Sequence, residues 1–239
     1  MMVSVILPTY NEAQNIVELV RGIQKNLPAN CSYEILVVDD NSPDETYRLV
    51  QTTFKDDPAV IPVLRTSDRG LANSIRDGIL KAKGDQILVM DTDFTHDPAE
   101  IPKMLHVAQV YDLVSGSRFC PGGNMQDTGH YIASMLYNWL VRICIRTQVQ
   151  DNLGGFFTVR KSMLDLLPFD RIFWGYGDYF FRLLHYAQRR NFTIVEIPAQ
   201  YNVRTRGKSK SNFFKMLFLY TRALVQLRWN MTAKPRRRP

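Results

Sequence analysis

The first half of the chain alternates short apolar runs with longer amphipathic stretches. Strand-like runs cover residues 3–8, 34–39, 61–65 and 86–90, and the helix-like stretches that follow them cover residues 12–26, 43–54, 71–82 and 99–108. Alternation of this kind predicts a parallel sheet with helices on both of its faces. A further strand is predicted at residues 113–117.

The regular alternation ends after Arg118. Residues 121–124 read Pro-Gly-Gly-Asn, which predicts a mobile loop. The remaining predicted elements are a helix at residues 131–146, a helix at residues 179–188 and a strand at residues 194–197. No internal repeat and no linker rich in Gly, Ser or Pro divides the chain. We therefore expect one α/β domain over residues 1–211, followed by an amphipathic helix and basic tail over residues 212–239.

The composition is that of a folded globular protein. The chain has 239 residues, of which 45% are hydrophobic and 22% are charged, so it can bury the core of one large domain. Three cysteines without a Cys-x-x-Cys spacing argue against a disulfide framework and a zinc site, and favour a reducing cytoplasm. The first residues lack the pattern of a cleaved signal peptide.

Basic residues are concentrated late in the chain and indicate an anionic partner. The net charge is +7, and much of the excess comes from Arg204, Arg206, Lys208, Lys210 and the tail at residues 234–238. Nucleic acid, a phosphorylated small molecule and an acidic membrane face are all compatible with this charge.

Residues 213–229 lie between these two basic segments and are rich in Phe, Leu, Met and Tyr. Lys215, Arg222 and Arg228 interrupt the run, which argues against a transmembrane helix. Two interpretations stay open: an interfacial helix on a membrane, or an amphipathic helix packed on the domain with a solvated tail.

Two carboxylates follow the apolar run at residues 87–90. If the strand continues, Asp91 and Asp93 project to one face, where their charges repel unless a cation lies between them. Mg²⁺ and Mn²⁺ prefer such oxygen ligands, and a phosphate commonly occupies the other side of the metal. The sequence therefore predicts a Mg²⁺ or Mn²⁺ site here, with a solvated acidic turn as the alternative.

Two further polar motifs end predicted strands, at residues 8–12 and 39–44. Ligands of open parallel sheets gather at the carboxyl ends of the strands. In the first motif, Pro8 should end the pairing of the strand because it has no N–H. Tyr10 could stack on a base, and Glu12 could accept hydrogen bonds from ribose or base. The alternative for this motif is a plain turn with Asn11 capping the helix.

The second motif has the same two interpretations. Asp39 is positioned to accept hydrogen bonds from a base, whereas Asn41 or Ser42 could instead cap a helix with Pro43 at its first position. The chain has neither a Gly-x-Gly-x-x-Gly fingerprint nor a phosphate-binding loop. The metal predicted at Asp91 and Asp93 is therefore expected to bind the phosphates. A sugar nucleotide suits this combination, because its cleavage creates a nucleoside diphosphate whose charge must be neutralised.

Five motifs in chain order resemble the dolichol-phosphate mannosyltransferase branch of the family 2 glycosyltransferases. They occupy residues 8–12, 37–44, 89–93, 116–118 and 204–210. The resemblance implies a GT-A fold with a mostly parallel, Rossmann-like sheet, Mg²⁺ or Mn²⁺, and inverting transfer to a polyprenyl or dolichyl phosphate. It favours GDP-mannose as donor, a peripheral location at the cytoplasmic membrane face, and use of the C-terminal helix or a membrane-anchoring partner subunit.

The resemblance also implies roles for individual residues. The nucleotide would be surrounded by Pro8, Tyr10, Glu12, Val38 and Asp39. The metal and diphosphate would be met by Asp91, Thr92, Asp93 and Thr95, and phosphates of donor or acceptor by Arg118, Arg204, Arg206 and Lys210. Asp93, Arg118 and Asp151 are the expected catalytic positions.

Several positions depart from the family pattern. Thr95 stands where the family has an amide, and the segment at residues 151–156 keeps Asp151 but loses the expected proline and serine. Basic residues expected after the loop are also missing, and His130 and Arg142 are the nearest candidates.

A lipid phosphate has a second pKa of about 6, so it is an oxyanion that needs no general base. It does need cations to offset repulsion from the donor diphosphate, and the cluster at residues 204–210 could supply them. A hydroxyl acceptor would instead need a base, for which Asp178 in the segment at residues 174–178 is the candidate; Asp178 could also be a helix N-cap.

Two other functions remain possible. The donor could be UDP-glucose or a similar nucleotide sugar. The protein could alternatively be a basic nucleotide- or RNA-binding scaffold, because residues 213–228 interleave aromatic and basic side chains. No nucleic-acid module is recognisable, so no nucleic-acid partner is expected.

Overall fold

A computed structural model describes residues 1–125, 128–202 and 213–232. The strands in these ranges are β1 (Met2–Thr9), β2 (Ser32–Asp39), β3 (Val60–Leu64), β4 (Gln86–Val89), β5 (Leu113–Ser117), β6 (Asn124–Met125), β7 (Phe157–Arg160), β8 (Ile194–Pro198) and β9 (Gln200–Tyr201). The helices are α1 (Ile16–Asn26), α2 (Thr46–Thr53), α3 (Leu71–Lys81), α4 (Ile101–Val107), α5 (Thr128–Ile145), α6 (Lys161–Leu164), α7 (Phe169–Ile172), α8 (Tyr179–Arg189) and α9 (Phe213–Thr232), with a 3₁₀ turn at Pro98–Glu100.

Seven strands form one sheet in the order β3-β2-β1-β4-β7-β5-β8. All of its neighbouring pairs are parallel except the two that involve β7, which runs antiparallel to both β4 and β5. The predicted mostly parallel sheet is therefore confirmed. A small parallel pair, β6 with β9, lies beside it.

Apolar layers cover both faces of the sheet. One layer joins the sheet to α3 and α8 through residues such as Ile75, Phe180 and Leu184. The other joins it to α1 and α4 through residues such as Leu19 and Met104. Burial on both sides explains why the central strands are apolar throughout rather than alternating.

Hydrogen bonds join the loops after β1 and β2. Both of the helices that follow, α1 and α2, begin later in the chain than predicted. The Asn11 N–H donates to the Ser42 hydroxyl at 2.9 Å, and the Ala13 N–H donates to the Asp44 carboxylate at 3.0 Å. Both loops also contain a left-handed asparagine, Asn11 with φ 57° and Asn41 with φ 54°. These contacts join segments about 30 residues apart, so local sequence patterns do not reveal them.

The alternative interpretations of these loops, with Asn11, Asn41 or Ser42 as helix caps, were therefore wrong. α1 begins at Ile16 with Asn15 at its N-cap, rather than following Asn11 directly. α2 begins at Thr46 with Glu45 at its N-cap, so Pro43 is not its first residue. The side chains of Ser42 and Asp44 accept hydrogen bonds from the loop after β1.

The prediction that Pro8 ends the first strand was also wrong. β1 continues to Thr9, which pairs with Asp39 of β2. The Pro8 carbonyl accepts a hydrogen bond from the Thr92 hydroxyl at 3.4 Å, so this backbone edge faces the β4 side. β4 has already ended at Val89, and the missing N–H therefore removes no ladder bond.

β7 was missed by the sequence analysis. It has four residues and lies between β4 and β5, with Thr158 opposite both Leu88 and Val114. The Thr158 hydroxyl donates to the Ile87 carbonyl at 2.8 Å and accepts from the Gln86 amide at 2.7 Å. Its position depends on two strands more than 40 residues away in sequence. Its own short apolar run was therefore insufficient to predict a strand.

α9 packs on the domain with one face and leaves the other exposed. Ala223, Leu224 and Leu227 are buried against a cluster of α5 and α8 residues, whereas Phe218 is 67% exposed and Trp229 is 74% exposed. None of the helices in the described ranges could span a bilayer. The predicted boundary between residues 211 and 212 lies outside the described ranges.

Phe180→Ala tests the packing of α8 on the sheet. Phe180 is fully buried and stacks on Phe157 with ring centroids 5.2 Å apart. We expect the free energy of unfolding, measured by urea denaturation, to fall by about 3–5 kcal/mol because a large cavity replaces the ring. Leu80→Ala is the control, since Leu80 is 66% exposed. Equal losses in the two variants would contradict the described core.

Candidate active site

A cavity of about 570 Å³ opens at the carboxyl ends of β1, β2 and β4. The N-terminus of α3, the segment before α8 and one residue of α9 complete its wall. It is lined by Pro8, Thr9, Tyr10, Glu12, Asp40, Arg69, Gly70, Leu71, Ser74, Asp91, Thr92, Asp93, Leu153, Gly154, Gly155, Tyr176, Gly177, Tyr179 and Tyr220. The motifs predicted at three strand ends therefore contribute to one site.

An aromatic and a basic side chain lie together at the β1 side of the cavity. Tyr10 is 38% exposed, and the Arg69 guanidinium carbon lies 5.9 Å from its ring centroid. Asp40, which also lines this region, accepts a hydrogen bond from the Gly70 N–H at 2.8 Å and forms a buried ion pair with Arg65. An exposed ring beside a guanidinium is suited to stacking on a planar base.

Glu12 lines the same region and is held in place by its neighbours. It is 8% exposed, and its carboxylate accepts from the Asn15 side-chain amide at 2.8 Å. Its own N–H donates to the Thr46 hydroxyl at 3.0 Å. The left-handed turn at Asn11 thus leads into a fixed carboxylate at the cavity wall.

Asp39 and Val38 lie behind this wall and are not among the described residues that line the cavity. Val38 is buried in the core. Asp39 is fully buried and accepts from the Ser42 N–H at 2.8 Å and from the Thr9 hydroxyl at 3.2 Å. Asp39 braces the loop, and the next carboxylate, Asp40, is the one on the wall. A direct contact between Asp39 and a base stays a prediction.

Asp91, Thr92 and Asp93 all reach the cavity, although not through the expected strand geometry. β4 ends at Val89, and the acids lie in a bend that is followed by Phe94 in a left-handed conformation, with φ 63°. The Asp91 side chain is 45% exposed, whereas Asp93 is 6% exposed. The expectation that strand alternation would align the two acids was wrong, but the bend brings both to one wall.

Thr95 contacts Asp93 rather than the cavity. Its hydroxyl donates to Asp93 Oδ1 at 2.6 Å, and its N–H donates to the same oxygen at 3.1 Å. The threonine that replaces the family amide therefore orients the second acid of the pair.

His96 supports the turn that carries Asp91. The Asp91 N–H donates to His96 Nδ1 at 2.9 Å, which leaves the proton of the neutral ring on Nε2. The ring stacks on Phe156 with centroids 4.8 Å apart and is buried. Burial, more than any neighbouring charge, lowers the pKa of His96 to about 4, so the ring is neutral near pH 7.

The donor set at this wall fits a divalent hard cation. Mg²⁺ is commonly held by one or two carboxylates, with substrate phosphates and water as its remaining ligands. Asp91 and Asp93 supply two carboxylates at one wall. Within the parts of the chain that the structure describes, no group of three His, Cys, Asp or Glu residues could hold a metal. The remaining ligands would have to come from diphosphate and water.

Arg118 and Asp151 form a buried, two-pronged ion pair. Arg118 Nε and Nη2 donate to the two carboxylate oxygens at 2.8 and 2.7 Å, and the Arg118 N–H donates at 3.1 Å. Burial by itself would lower the pKa of Arg118, but the charge and hydrogen bonds of Asp151 raise it above its usual value. Neither residue is among the described cavity lining, so Arg118 faces Asp151 in this structure rather than a phosphate position.

This ion pair is connected to the acidic turn through Tyr201. The Arg118 guanidinium lies 4.9 Å from the Tyr201 ring centroid, and Tyr201 also packs edge-on against His96 with centroids 4.7 Å apart. The predicted catalytic positions Arg118 and Asp151 therefore support the wall from behind.

Asp178 has a comparable structural position before α8. Its carboxylate accepts from the Tyr176 N–H at 3.0 Å and forms a buried ion pair with Arg182. Arg182 also lies over the Trp174 ring, 4.0 Å from its centroid. Asp178 is at the N-cap of α8 but makes no side-chain capping bond there, and it is absent from the described cavity lining.

The predicted phosphate-binding residues Arg204, Arg206 and Lys210 lie outside the described residues, as does the side chain of His130. The sequence analysis missed other residues of the wall: Asp40, Arg69, Ser74, Tyr176, Tyr179 and Tyr220. Of these, Asp40 was visible as the second acid of its motif. The others come from loops, from the first turns of α3 and α8, and from α9, and their proximity depends on the packed fold.

The buried His96 predicts a pH dependence of stability in metal-free protein. Its pKa is lower in the folded state than its usual value of 6.5, so protonation favours unfolding. The contribution is fully present above about pH 6.5 and is lost as the pH falls toward 4. The loss should amount to a few kcal/mol, roughly 3 at most.

Urea denaturation of wild type and His96→Gln between pH 4 and pH 7 checks this expectation. The wild type should lose more stability across this interval than the variant, which cannot gain the proton. Parallel curves would show that His96 is not the buried neutral group described above.

Two relatives of known name are similar to this chain over most of its length. A dolichol-phosphate mannosyltransferase from Pyrococcus furiosus is 33% identical over 233 residues, which cover 95% of this chain and 64% of that protein. An undecaprenyl-phosphate mannosyltransferase from Micrococcus luteus is 32% identical over 219 residues, covering 88% and 87%. The chain thus spans less than two thirds of the first relative.

The fold has solved counterparts. Glucosyl-3-phosphoglycerate synthase from Mycobacterium tuberculosis, in complex with Mn²⁺, UDP and glucosyl-3-phosphoglycerate, matches with a TM-score of 0.70 at 19% identity, covering 95% of this chain and 79% of that chain. The same synthase has been solved with Mg²⁺ and UDP. The predicted GT-A fold is confirmed. The sequence profile described as Glycosyl transferase family 2 matches residues 4–167, and the chain therefore belongs to this family.

Proposed function

We propose that this glycosyltransferase moves a hexosyl group, with mannose from GDP-mannose favoured, to a polyprenyl or dolichyl phosphate. One observation carries the proposal: a single cavity joins an exposed aromatic residue at the end of β1 to the acidic pair after β4. A nucleotide sugar has the same order of parts, a flat base followed by a charged diphosphate. Two relatives are named as mannosyltransferases that act on lipid phosphates.

The donor would lie along this cavity. Tyr10 and Arg69 are suited to the base, and Glu12 is suited to accept hydrogen bonds from base or ribose. Asp91 and Asp93 would hold Mg²⁺ or Mn²⁺, and the bound ion would neutralise charge on the diphosphate leaving group. Pro8 and Thr92 complete the wall between these two regions.

The proposed transfer needs no general base. An oxygen of the acceptor phosphate attacks the anomeric carbon and forms the new C–O bond from the opposite face. The bond to the diphosphate oxygen breaks, and its electron pair leaves with the nucleoside diphosphate. Because the acceptor is already ionised near pH 7, no proton has to be removed. Asp178 is thus not required as a base, in agreement with its ion pair to Arg182.

The acceptor phosphate would be met by the basic cluster Arg204, Arg206 and Lys210. The described chain on the N-terminal side of this cluster is anchored near the acidic turn, since the Asn202 N–H donates to the Thr95 carbonyl at 3.0 Å. The positive charges of this cluster would offset the repulsion between two phosphate-bearing substrates.

A peripheral location at the cytoplasmic membrane face is supported by two adjacent helices. α5 exposes Leu136 (61%) and Trp139 (62%), and α9 exposes Phe218 (67%) and Trp229 (74%). The two helices pack together through buried residues, and we propose that their exposed apolar side chains form one membrane-facing surface. Exposed tryptophan with nearby arginine is typical of helices that lie in a membrane interface. A membrane-anchoring partner subunit stays part of the proposal.

Calorimetry identifies the donor base. GDP-mannose, GDP, UDP-glucose and UDP are titrated into the protein with Mn²⁺ and again with EDTA. We expect metal-dependent binding with GDP ligands tighter than UDP ligands. Tighter binding of UDP ligands would replace mannose as the favoured sugar while keeping the reaction class. Failure of all four to bind with metal would overturn the donor assignment.

Asp93→Asn tests the role of the acidic pair. The amide is nearly the same size as the carboxylate but lacks its charge, so we expect mannosyl transfer from GDP-mannose to dolichyl phosphate to fall by roughly 1000-fold. The measurement is radiolabelled mannose recovered in the lipid extract. Asp97→Asn is the matched control, because Asp97 caps the following 3₁₀ turn and is not among the described cavity residues. Wild-type turnover by Asp93→Asn would refute the mechanism.

Glutamate substitutions test the membrane surface. In sedimentation with anionic phospholipid vesicles, Trp139→Glu and Trp229→Glu should each weaken binding by roughly 10-fold, because burial of an aromatic side chain is replaced by a charge. Leu80→Glu is the control, since Leu80 is 66% exposed on α3. Point substitutions suit this test better than truncation, because α9 also packs on the domain. Equal vesicle binding by all four proteins would remove α5 and α9 from the interface.

A further inference from the structure

Three tyrosines form one part of the cavity lining: Tyr176, Tyr179 and Tyr220, here called the tyrosine wall. Tyr176 and Tyr179 flank the start of α8, whereas Tyr220 comes from α9. Leu153 and the glycines at positions 154, 155 and 177 complete this part of the lining. The C-terminal helix therefore supplies a side chain to the site.

Tyr220 is held against the segment before α8. A Cβ added to Gly177 would overlap the Tyr220 hydroxyl, so the absence of a side chain at Gly177 permits this approach. The Tyr220 ring lies 6.4 Å from the rings of Tyr137 and Phe181. The Tyr220 hydroxyl is thus positioned before any ligand binds, which reduces the entropic cost of forming a hydrogen bond with that ligand.

The tyrosine wall is close to the acidic pair. Asp91 lines the same cavity, and its charge contributes, after burial and the nearer side chains, to raising the pKa of Tyr220 above its ordinary value. The proposed function places the diphosphate at Asp91 and the nucleoside at Tyr10 and Arg69. The group at the other end of the diphosphate then lies beside these tyrosines. That group is the hexosyl ring.

The chemistry of the wall also favours a sugar over a phosphate. A hexose is neutral and carries hydroxyl groups that donate and accept, and a tyrosine hydroxyl does both while its ring covers C–H surface. A phosphate is best bound by cations. Among the described residues that line the cavity, the basic one is Arg69, and it lies over Tyr10 instead.

We propose that the tyrosine wall is the binding site for the hexosyl ring of the donor and that Tyr220 hydrogen-bonds one of its hydroxyl groups. This assignment rests on the proposed function and extends it by naming a residue that recognises the sugar. It makes α9 a component of donor recognition as well as a candidate for membrane contact.

Tyr220→Phe tests the proposal because it removes one oxygen and keeps the ring. Calorimetry with Mn²⁺ compares GDP with GDP-mannose, or UDP with UDP-glucose if the wild type prefers uridine ligands. We expect the affinity for the nucleoside diphosphate to be unchanged and the affinity for the nucleotide sugar to fall by roughly 3- to 10-fold, the effect of one hydrogen bond. A role limited to packing α9 would not distinguish the two ligands.

Two further variants sharpen the result. Tyr137→Phe is the matched control, because its hydroxyl belongs to the same contact between α5 and α9 but is not among the described cavity residues. It should leave both affinities unchanged. Gly177→Ala should reproduce the selective loss of nucleotide-sugar affinity, because the added methyl group displaces the Tyr220 hydroxyl.

Several outcomes would overturn the inference. Equal weakening of both ligands by Tyr220→Phe, or no weakening of either, would exclude a sugar contact. An increased KM for polyprenyl phosphate with unchanged donor affinity would move Tyr220 to the acceptor. These failures differ from failure of the proposed function, in which the wild type itself would show no metal-dependent binding of either nucleotide sugar.

Discussion

Two carboxylates must share one wall of a cavity, and much of the surrounding structure serves this constraint. Like charges on one wall repel each other, so the bend that carries Asp91 and Asp93 has to be held by other contacts. Thr95 orients Asp93 through two hydrogen bonds, and His96 accepts the Asp91 N–H. His96 is kept neutral by burial, so it fixes the backbone without adding a positive charge that would compete with a metal.

A second layer fixes these supporting residues. Phe156 and Tyr201 enclose His96, and Tyr201 in turn lies against Arg118. Arg118 donates two side-chain hydrogen bonds to Asp151, whose own N–H donates to Glu196 of β8 at 2.8 Å. A buried ion pair contributes little net stability, but removing one partner leaves an uncompensated charge. Loss of either Arg118 or Asp151 would therefore destabilise the packing behind the acidic turn.

The other walls are built by the same kind of long-range contact. The loops after β1 and β2 exchange hydrogen bonds, which places Tyr10 and Glu12 beside Asp40. The ion pair between Asp178 and Arg182 holds the segment that presents Tyr176. α9 then adds Tyr220. The arrangement links the surface that we propose for membrane contact to the site that we propose for the donor, since both include α9.

The sequence alone determined the mostly parallel α/β architecture and the location of the acidic pair. Strand and helix periodicity is a local property, and the carboxyl ends of parallel strands necessarily meet at one edge, so Tyr10, Glu12, Asp91 and Asp93 could be assigned to one site. The family motifs then indicated a nucleotide-sugar enzyme. Pattern and motif were sufficient because the residues concerned directly follow strongly apolar strands.

The tertiary structure decided which side chains of those motifs face the cavity. Asp39 is turned into the loop and Asp40 reaches the wall, because Ser42 and Thr9 satisfy the first carboxylate. The short strand β7 and the contribution of Tyr220 depend on partners far away in sequence, and no local pattern encodes such partners. Periodicity fixes which face of an element is apolar, whereas the directions of polar side chains in loops follow from hydrogen bonds that exist only after packing.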